Sequence, residues 1–271
     1  MELNAAEAPG GSMKLKSITS FDGTKISYAF NKPVKNSRKF LVFLHGDASN
    51  YTVYKPFLSK YRELNWIALN IRNHGGSGRG SISIGNMVED LHIVLKHENA
   101  QESVLIGNCL GAAIAVEFTN RYKGMAHSLI LITPFSSETV RLPWLFSVLS
   151  SYMLIFIRPF SKKNRALRLN DFHKYKNKPF WYRPSLDIRG TSLTNGFTVI
   201  KLLINTKMNL EKIKKKVLII LCEKDIFIRK SAVYNIAEQN DLIRVKIIRS
   251  GHNPLTQNPR ELLRACKAAI G

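Results

Sequence analysis

The sequence predicts an α/β fold: a mostly parallel sheet with flanking helices, and a helical cap inserted before the last core strands. Three observations carry this. Short, almost wholly apolar runs recur at 40–44, 66–69, 103–106, 128–132, 217–221 and 245–248, as buried parallel strands do when helices cover both sheet faces. Helical periods lie between them. One long stretch, 135–214, contains no such run and carries Pro143, Pro159, Pro179 and Pro184.

Taken in order, residues 1–12 are polar, with neither a basic start nor an apolar core of the kind a secretory signal needs. They read as a flexible tail or expression scar, with Met13 as the expected native start. Lys14–Thr19 and Lys25–Phe30 flank Phe21-Asp22-Gly23-Thr24, and Asp-Gly between two alternating runs predicts a hairpin. The run Phe40–Leu44 ends at His45-Gly46. Met87, Leu91, Val94 and Leu95 recur at i, i+4, i+7 and i+8 and mark one helix face. Cys109–Tyr122 reads as a helix of small residues, and Ala232–Gln239 and Arg260–Ile270 as two more. The organisation expected is a core of 13–134 and 215–271, with 135–214 as the cap.

Of the 271 residues, 45% are apolar and 10% aromatic, and the mean hydropathy is −0.11. This excludes a chain too polar to bury a core. Lys and Arg number 41 against 19 Asp and Glu, a net charge of +22. Such an excess favours phosphates, nucleic acid or an anionic membrane, or serves solubility alone. The cap holds much of it, with 13 Lys/Arg against 3 Asp/Glu over 135–210. Three cysteines are too few for a disulfide-stapled secreted domain, so a reduced, cytoplasmic setting is expected. The apolar stretch 142–157 has 16 residues with a Pro and three Ser inside. A membrane span needs ~20, so it reads as a buried or interfacial helix. The basic, aromatic segment 173–183 reads as a solvated face rather than a nucleic-acid surface.

The chemistry concentrates in Val104-Leu105-Ile106-Gly107-Asn108-Cys109-Leu110-Gly111. A strand runs into G-x-C-x-G and then into a helix, the pattern of a nucleophile elbow with Cys where Ser is commoner. Glycines two residues either side let the strand and helix close on the turn. A thiol at a helix N-terminus beside an imidazole is biased toward thiolate. Asp225 follows the run 217–221, and His252 follows 245–248. Nucleophile, acid, base is the chain order of such a triad, and these loops share the carboxyl edge of a parallel sheet, where ligands bind. Cys109 would attack, His252 would move the proton, and Asp225 would hold the imidazole tautomer. After the early strand, His45-Gly46 opens a loop in which the N–H of Asp47, with that of Leu110, would form an oxyanion hole. The Asp47 side chain brings a negative charge there for which the sequence offers no reason. Each residue also has a structural reading alone: a buried Cys beside packing glycines, a helix-capping Asp, a surface His. Their joint order favours chemistry.

At these residues the chain resembles the α/β-hydrolase superfamily. The matching segments are LVFLHG (41–46), LNIRNHGGSG (69–78), VLIGNCLGAAIA (104–115), LILITP (129–134), LIILCEKD (218–225) and SGHNP (250–254). Together they cover nearly the whole chain outside 1–12 and the cap. The general look is similar to the monoglyceride lipase and carboxylesterase branch, which carries a cap where this chain has 135–214. Two residues depart from that pattern: Asn70 stands where the family usually has Asp, and Cys109 where it usually has Ser. A Cys elbow resembles those of dienelactone hydrolases, some thioesterases and polyhydroxyalkanoate synthases.

The resemblance implies hydrolysis of a carboxylic ester or thioester through a cysteinyl acyl intermediate. No cofactor or metal is implied: the histidines lack ligand spacing, and 73–80 lacks the Lys and the spacing of a phosphate loop. The expected partner is a small-molecule acyl ester or thioester, with the basic cap meeting an anionic substrate or, peripherally, an anionic membrane. Three alternatives stay open: an acyltransferase with the same triad, a non-catalytic binding protein on this fold, and a Cys109 introduced in place of Ser.

Overall fold

The computed structural model describes residues 13–141, 145, 148–149, 151–153 and 193–270. The tail 1–12, the basic segment 173–183 and most of the apolar stretch 142–157 lie outside the described residues.

Eight strands form one sheet in the order β1-β2-β4-β3-β5-β6-β7-β8. They are β1 (Lys14–Thr19), β2 (Lys25–Asn31), β3 (Lys39–Leu44), β4 (Trp66–Leu69), β5 (Glu102–Asn108), β6 (Ala126–Ile132), β7 (Lys216–Cys222) and β8 (Ile243–Ile248). The hairpin β1–β2 is antiparallel, pairing Lys14 with Phe30 through to Thr19 with Lys25. Its turn is closed by the Asp22 carboxylate, which accepts from the Thr24 N–H at 3.1 Å, and by Gly23 at φ +80°. Strand β2 runs antiparallel to β4, and every later pair is parallel. The loops after β3, β5, β7 and β8 therefore open at one edge.

Among the described residues the helices include α1 (Lys55–Lys60), α2 (Ile84–His97), α3 (Leu110–Arg121), α4 (Leu193–Ile204), α5 (Lys230–Glu238), α6 (Pro254–Gln257) and α7 (Pro259–Ile270). Ser83 caps α2 by accepting from the Asn86 N–H, the tie that satisfies one orphan donor of a helix start. Both faces of the sheet are covered. In β3, Phe40, Val42 and Leu44 join the cluster containing the α2 and α3 side chains, while Leu41 and Phe43 join the one under α7. That explains why this strand is apolar at every position after Lys39 rather than at alternate ones. Each such side chain, fully buried, contributes roughly 1.5–3 kcal/mol.

Two features extend the sequence reading. A short 3-10 turn at Tyr51–Tyr54, together with α1 and α6, falls below the length at which a helical period can be read. Within the stretch expected to be cap, α4 buries Val199, Leu203 and Ile204 in the same cluster as α2 and α3.

The loop after β4 is anchored by charge. Arg72 is wholly buried and grips Asp90 of α2 with two 2.7 Å bonds. It also reaches Asp22 in the hairpin turn at 2.8 Å. A buried guanidinium needs this full set of acceptors, and Asp22 is correspondingly held down to about 2, first by its bond to Arg72.

Candidate active site

Cys109 is the single residue between β5 and α3, with φ +50° and ψ −106°. For a non-glycine residue this backbone is strained by about 1–3 kcal/mol and survives only where its surroundings enforce it. The Cys109 N–H donates to the Ile132 carbonyl of β6 at 3.0 Å, and its own carbonyl accepts from Ala112 at 3.0 Å. A Cβ on Gly107 would collide with the Gly111 backbone, and one on Gly111 with the Leu44 carbonyl. Strand and helix can approach this closely only with glycine at both positions.

The late loops bring His252 and Asp225 together. His252 Nδ1 lies 2.8 Å from Asp225 Oδ2. The other Asp225 oxygen accepts from the Phe227 N–H at 2.8 Å and the Ile228 N–H at 3.3 Å, so the carboxylate both orients the ring and closes its own turn. Burial alone would raise the Asp225 carboxyl, but the His252 bond and the two N–H groups outweigh it and hold it below the ordinary range. For His252, burial disfavours the charged ring. The Asp225 hydrogen bond and the Cys109 side chain more than reverse this and push it up to about 10. The rings of Phe227 and Phe135 stand edge-on to the imidazole, at 5.1 and 6.1 Å between centroids.

Of the three thiols, Cys109 is half-buried and Cys222 and Cys266 are buried. Burial pushes Cys222 and Cys266 up to about 12. Cys109 is the thiol that faces the imidazole.

The loop after β3 lies against the elbow. A Cβ built on Gly46 would sit 2.9 Å from Asn108 Oδ1 and 3.4 Å from Cys109 Cβ. Asp47 follows Gly46, and Leu110 supplies the first N–H of α3, one of the donors a helix leaves without an intrahelical partner. The Asp47 charge has a partner: its Oδ1 lies 3.0 Å from Nε2 of the buried His74. The histidine that follows β3 is structural. His45 Nδ1 donates to the Gly46 carbonyl at 2.7 Å and its Nε2 accepts from the Ile71 N–H at 3.1 Å. Burial and then the neighbouring His74 push its proton affinity down to about 3, so this ring is neutral.

Four residues near the site, Thr133, Asn108, Asn70 and His74, escaped the sequence reading of roles. Thr133 Oγ1 donates to the His252 carbonyl at 3.1 Å and accepts from Asn108 Nδ2 at 3.1 Å, which links elbow, β6 edge and histidine loop. Thr133 holds a left-handed φ of +43° at the end of β6. Asn70, the departure from the family's Asp, uses both ends of its amide: Oδ1 accepts from the Tyr51 N–H at 3.0 Å, and Nδ2 donates to Ser27 Oγ at 2.8 Å. His74 is the fourth. No linear motif pairs it with Asp47, 27 positions away.

A parallel sheet with a strained strand-to-helix Cys and an Asp–His pair at its carboxyl edge defines a hydrolase-type scaffold. The alpha/beta hydrolase family model matches residues 41–265, and the chain belongs to that family. A Mycoplasma genitalium protein provisionally named esterase/lipase 2 is 24% identical over 263 residues, covering 90% of this chain and 93% of the relative. A Haemophilus influenzae protein, also provisionally named an esterase/lipase, is 27% identical over 121 residues. That match spans 43% of this chain and only 39% of the relative. Among solved structures, a hydrolase from Pseudomonas aeruginosa superposes with a TM-score of 0.76 at 14% identity, covering 95% of this chain and 98% of the other. An esterase from Exiguobacterium antarcticum does so with a TM-score of 0.75 at 16% identity, covering 94% and 98%. At such identities these likenesses speak for the fold.

Proposed function

We propose that this chain is an esterase- or lipase-type hydrolase that cleaves a carboxylic ester or thioester through a cysteinyl acyl intermediate. His252, pushed up to about 10, holds the proton that Cys109 gives up, and the sulfur attacks the acyl carbon beside the imidazolium. The N–H groups of Asp47 and Leu110 hold the oxyanion as the tetrahedral centre forms. Collapse expels the alcohol or thiol, which receives the proton from His252. Water, deprotonated by the same ring, then attacks the acyl-sulfur bond and frees the acid and the thiol. Asp225 keeps His252 in the tautomer with Nδ1–H inward. The observation that carries this reading is the 2.8 Å Asp225–His252 bond beside a Cys109 held at positive φ between Gly107 and Gly111. The names of the curated relatives support the ester class.

The test is intact-protein mass spectrometry after exposure to short and long acyl esters and acyl thioesters. A mass gain equal to the acyl group, mapped to Cys109 and lost with time in water, is the expected result. No adduct with any of these reagents, in a protein that turns none of them over, would sink the reading. Transfer of the acyl group to an added alcohol or amine in preference to water would make the chain an acyltransferase with the same intermediate.

We also propose peripheral docking on an anionic membrane through the region 135–214. Val148, Leu149, Tyr152 and Met153 are exposed on helical backbone, within a region of strong basic excess. Apolar side chains beside cations are the combination that binds anionic interfaces. Among the described residues no helix is long and apolar enough to cross a membrane.

A further inference from the structure

The Asp47 carboxylate sits where the proposed oxyanion loop is least relaxed. The next residue, Ala48, holds a left-handed φ of +55°. A non-glycine residue in that region keeps its shape only when something outside the loop holds it. The Asp47 side chain is only 15% exposed and reaches two elements beyond the loop. Its Oδ1 meets His74 Nε2 at 3.0 Å. Its Oδ2 faces Gly196 in the first turn of α4, where an added Cβ would lie 3.4 Å away.

Both nitrogens of the buried His74 ring are engaged. Nδ1 lies 2.9 Å from the Arg72 carbonyl, which can only accept, so Nδ1–H donates there. Nε2 is the nitrogen that meets the Asp47 carboxyl. The neighbouring His45 ring stands edge-on at 5.3 Å between centroids. Arg72, whose carbonyl receives His74, is itself fixed by Asp90 and Asp22. A chain of ties thus runs from the hairpin turn and α2 to the residue beside the elbow.

We propose that Asp47 and His74 form a hydrogen-bonded clamp that holds the loop 45–50 in its strained shape, so that the Asp47 N–H is aimed at the oxyanion position. The clamp rests on the ester-cleaving reading above, and in it His74 is a positioning residue. It also supplies the reason for an acidic residue at this position: the carboxylate serves the loop through His74, while the backbone of the same residue serves the substrate. Contacts that aim a donor at the transition state show in kcat rather than in KM.

The experiment uses the full chain with Asp47→Asn, His74→Gln and the double variant, with p-nitrophenyl acetate as acyl donor and iodoacetamide as alkylating agent. Each single change is expected to lower kcat by up to about 100-fold, the loss that a donor misplaced by ~1 Å can bring, with KM little changed. The double variant should be no slower than the slower single, because the two side chains act as one unit. Alkylation of Cys109, which forms no oxyanion, should keep its wild-type rate. Additive losses, a wild-type kcat in Asp47→Asn, or alkylation falling in step with acylation would each overturn the clamp. Amide hydrogen exchange over 46–49 separates this from the parent reading. If the wild-type protein turns over no ester, the ester reading falls, and the clamp stands only if Asp47→Asn speeds exchange in that loop. Asp47→Asn is nearly isosteric, so it keeps the test open should His74→Gln fail to fold.

Discussion

His252 Nδ1 lies 2.8 Å from Asp225 Oδ2, although the two are 27 positions apart in the chain. The bond needs β7 and β8 to be adjacent and parallel, since each residue leaves its strand at the same edge. It orients the ring but does not create the nucleophile.

From this it follows that His252→Ala should cost more than Asp225→Asn. A thiol is partly ionised near neutral pH by its own chemistry and depends less on the orienting acid than a hydroxyl does. The histidine change should lower kcat/KM on an acyl ester by at least ~10²-fold, the range for general acid–base catalysis. The Asp225→Asn loss should be smaller. Near-wild-type turnover by the His252→Ala protein would remove the mechanism.

Cys109 should be the most reactive of the three thiols. Cys222 and Cys266 are buried and pushed up to about 12, so little thiolate is present in either at neutral pH. Iodoacetamide labelling at pH 7 followed by peptide mapping should find the adduct on Cys109 first. Earlier labelling of Cys222 or Cys266 would mean that the nucleophile has been misassigned.

Gly111→Ala should destabilise the fold, because its new methyl would run into the Leu44 carbonyl, which cannot swing aside. Overpacking of this kind costs typically ~1–3 kcal/mol. Gly124→Ala is the control, as nothing lies within 4 Å of a Cβ there. Urea denaturation of both proteins decides the matter: equal midpoints would show that the strand–helix approach is looser than described.

The Asp225–His252 pair also predicts a pH dependence. The His252 ring rises from 6.5 to about 10 on folding, so the native state binds the proton more tightly than the unfolded chain. The stability it contributes is full below about 6.5 and is lost as pH climbs through about 10. The stability gap between wild type and His252→Ala, measured by urea denaturation under reducing conditions, should therefore narrow between pH 6.5 and 10. A gap that stays constant or widens over that window would contradict the raised imidazole.

Docking on lipid should be moderate and sensitive to salt. Each basic residue close to an anionic surface contributes ~1 kcal/mol, and only some of the 13 in 135–210 can face one plane. Co-sedimentation with phosphatidylserine vesicles is expected at low salt, weaker at ~0.5 M salt through screening, and weaker still with neutral vesicles. Equal binding to neutral and anionic lipid, or none at low salt, would leave the basic region to an anionic substrate or to solubility.

The sheet was legible because both of its faces are covered. Strands such as Lys39–Leu44 and Lys216–Cys222 are apolar at nearly every position, and that pattern survives without knowledge of neighbours. Cys109, Asp225 and His252 could be picked out because each directly follows such a strand or lies a few residues beyond it. The supporting shell was not legible, because its members meet only in three dimensions. Thr133 reaches His252 across 119 residues, and His74 reaches Asp47 across 27 without any repeat or spacing to announce it. Within 135–214, the stretch expected to be cap, Val199 and Leu203 lie among the core side chains, a neighbourhood that no pattern in the sequence announces.

The strain at Cys109 resides in φ and ψ, not in the side chain that the turn displays. The glycines at 107 and 111, and the carbonyl of Ile132 that receives the Cys109 N–H, grip only main-chain atoms. The elbow is therefore a socket indifferent to whether it presents sulfur or oxygen. Under the proposed mechanism, exchange of a single atom at its tip moves the protein between thiol and hydroxyl chemistry while leaving these main-chain ties untouched. Selection acting on the reaction is thereby uncoupled from selection acting on the fold.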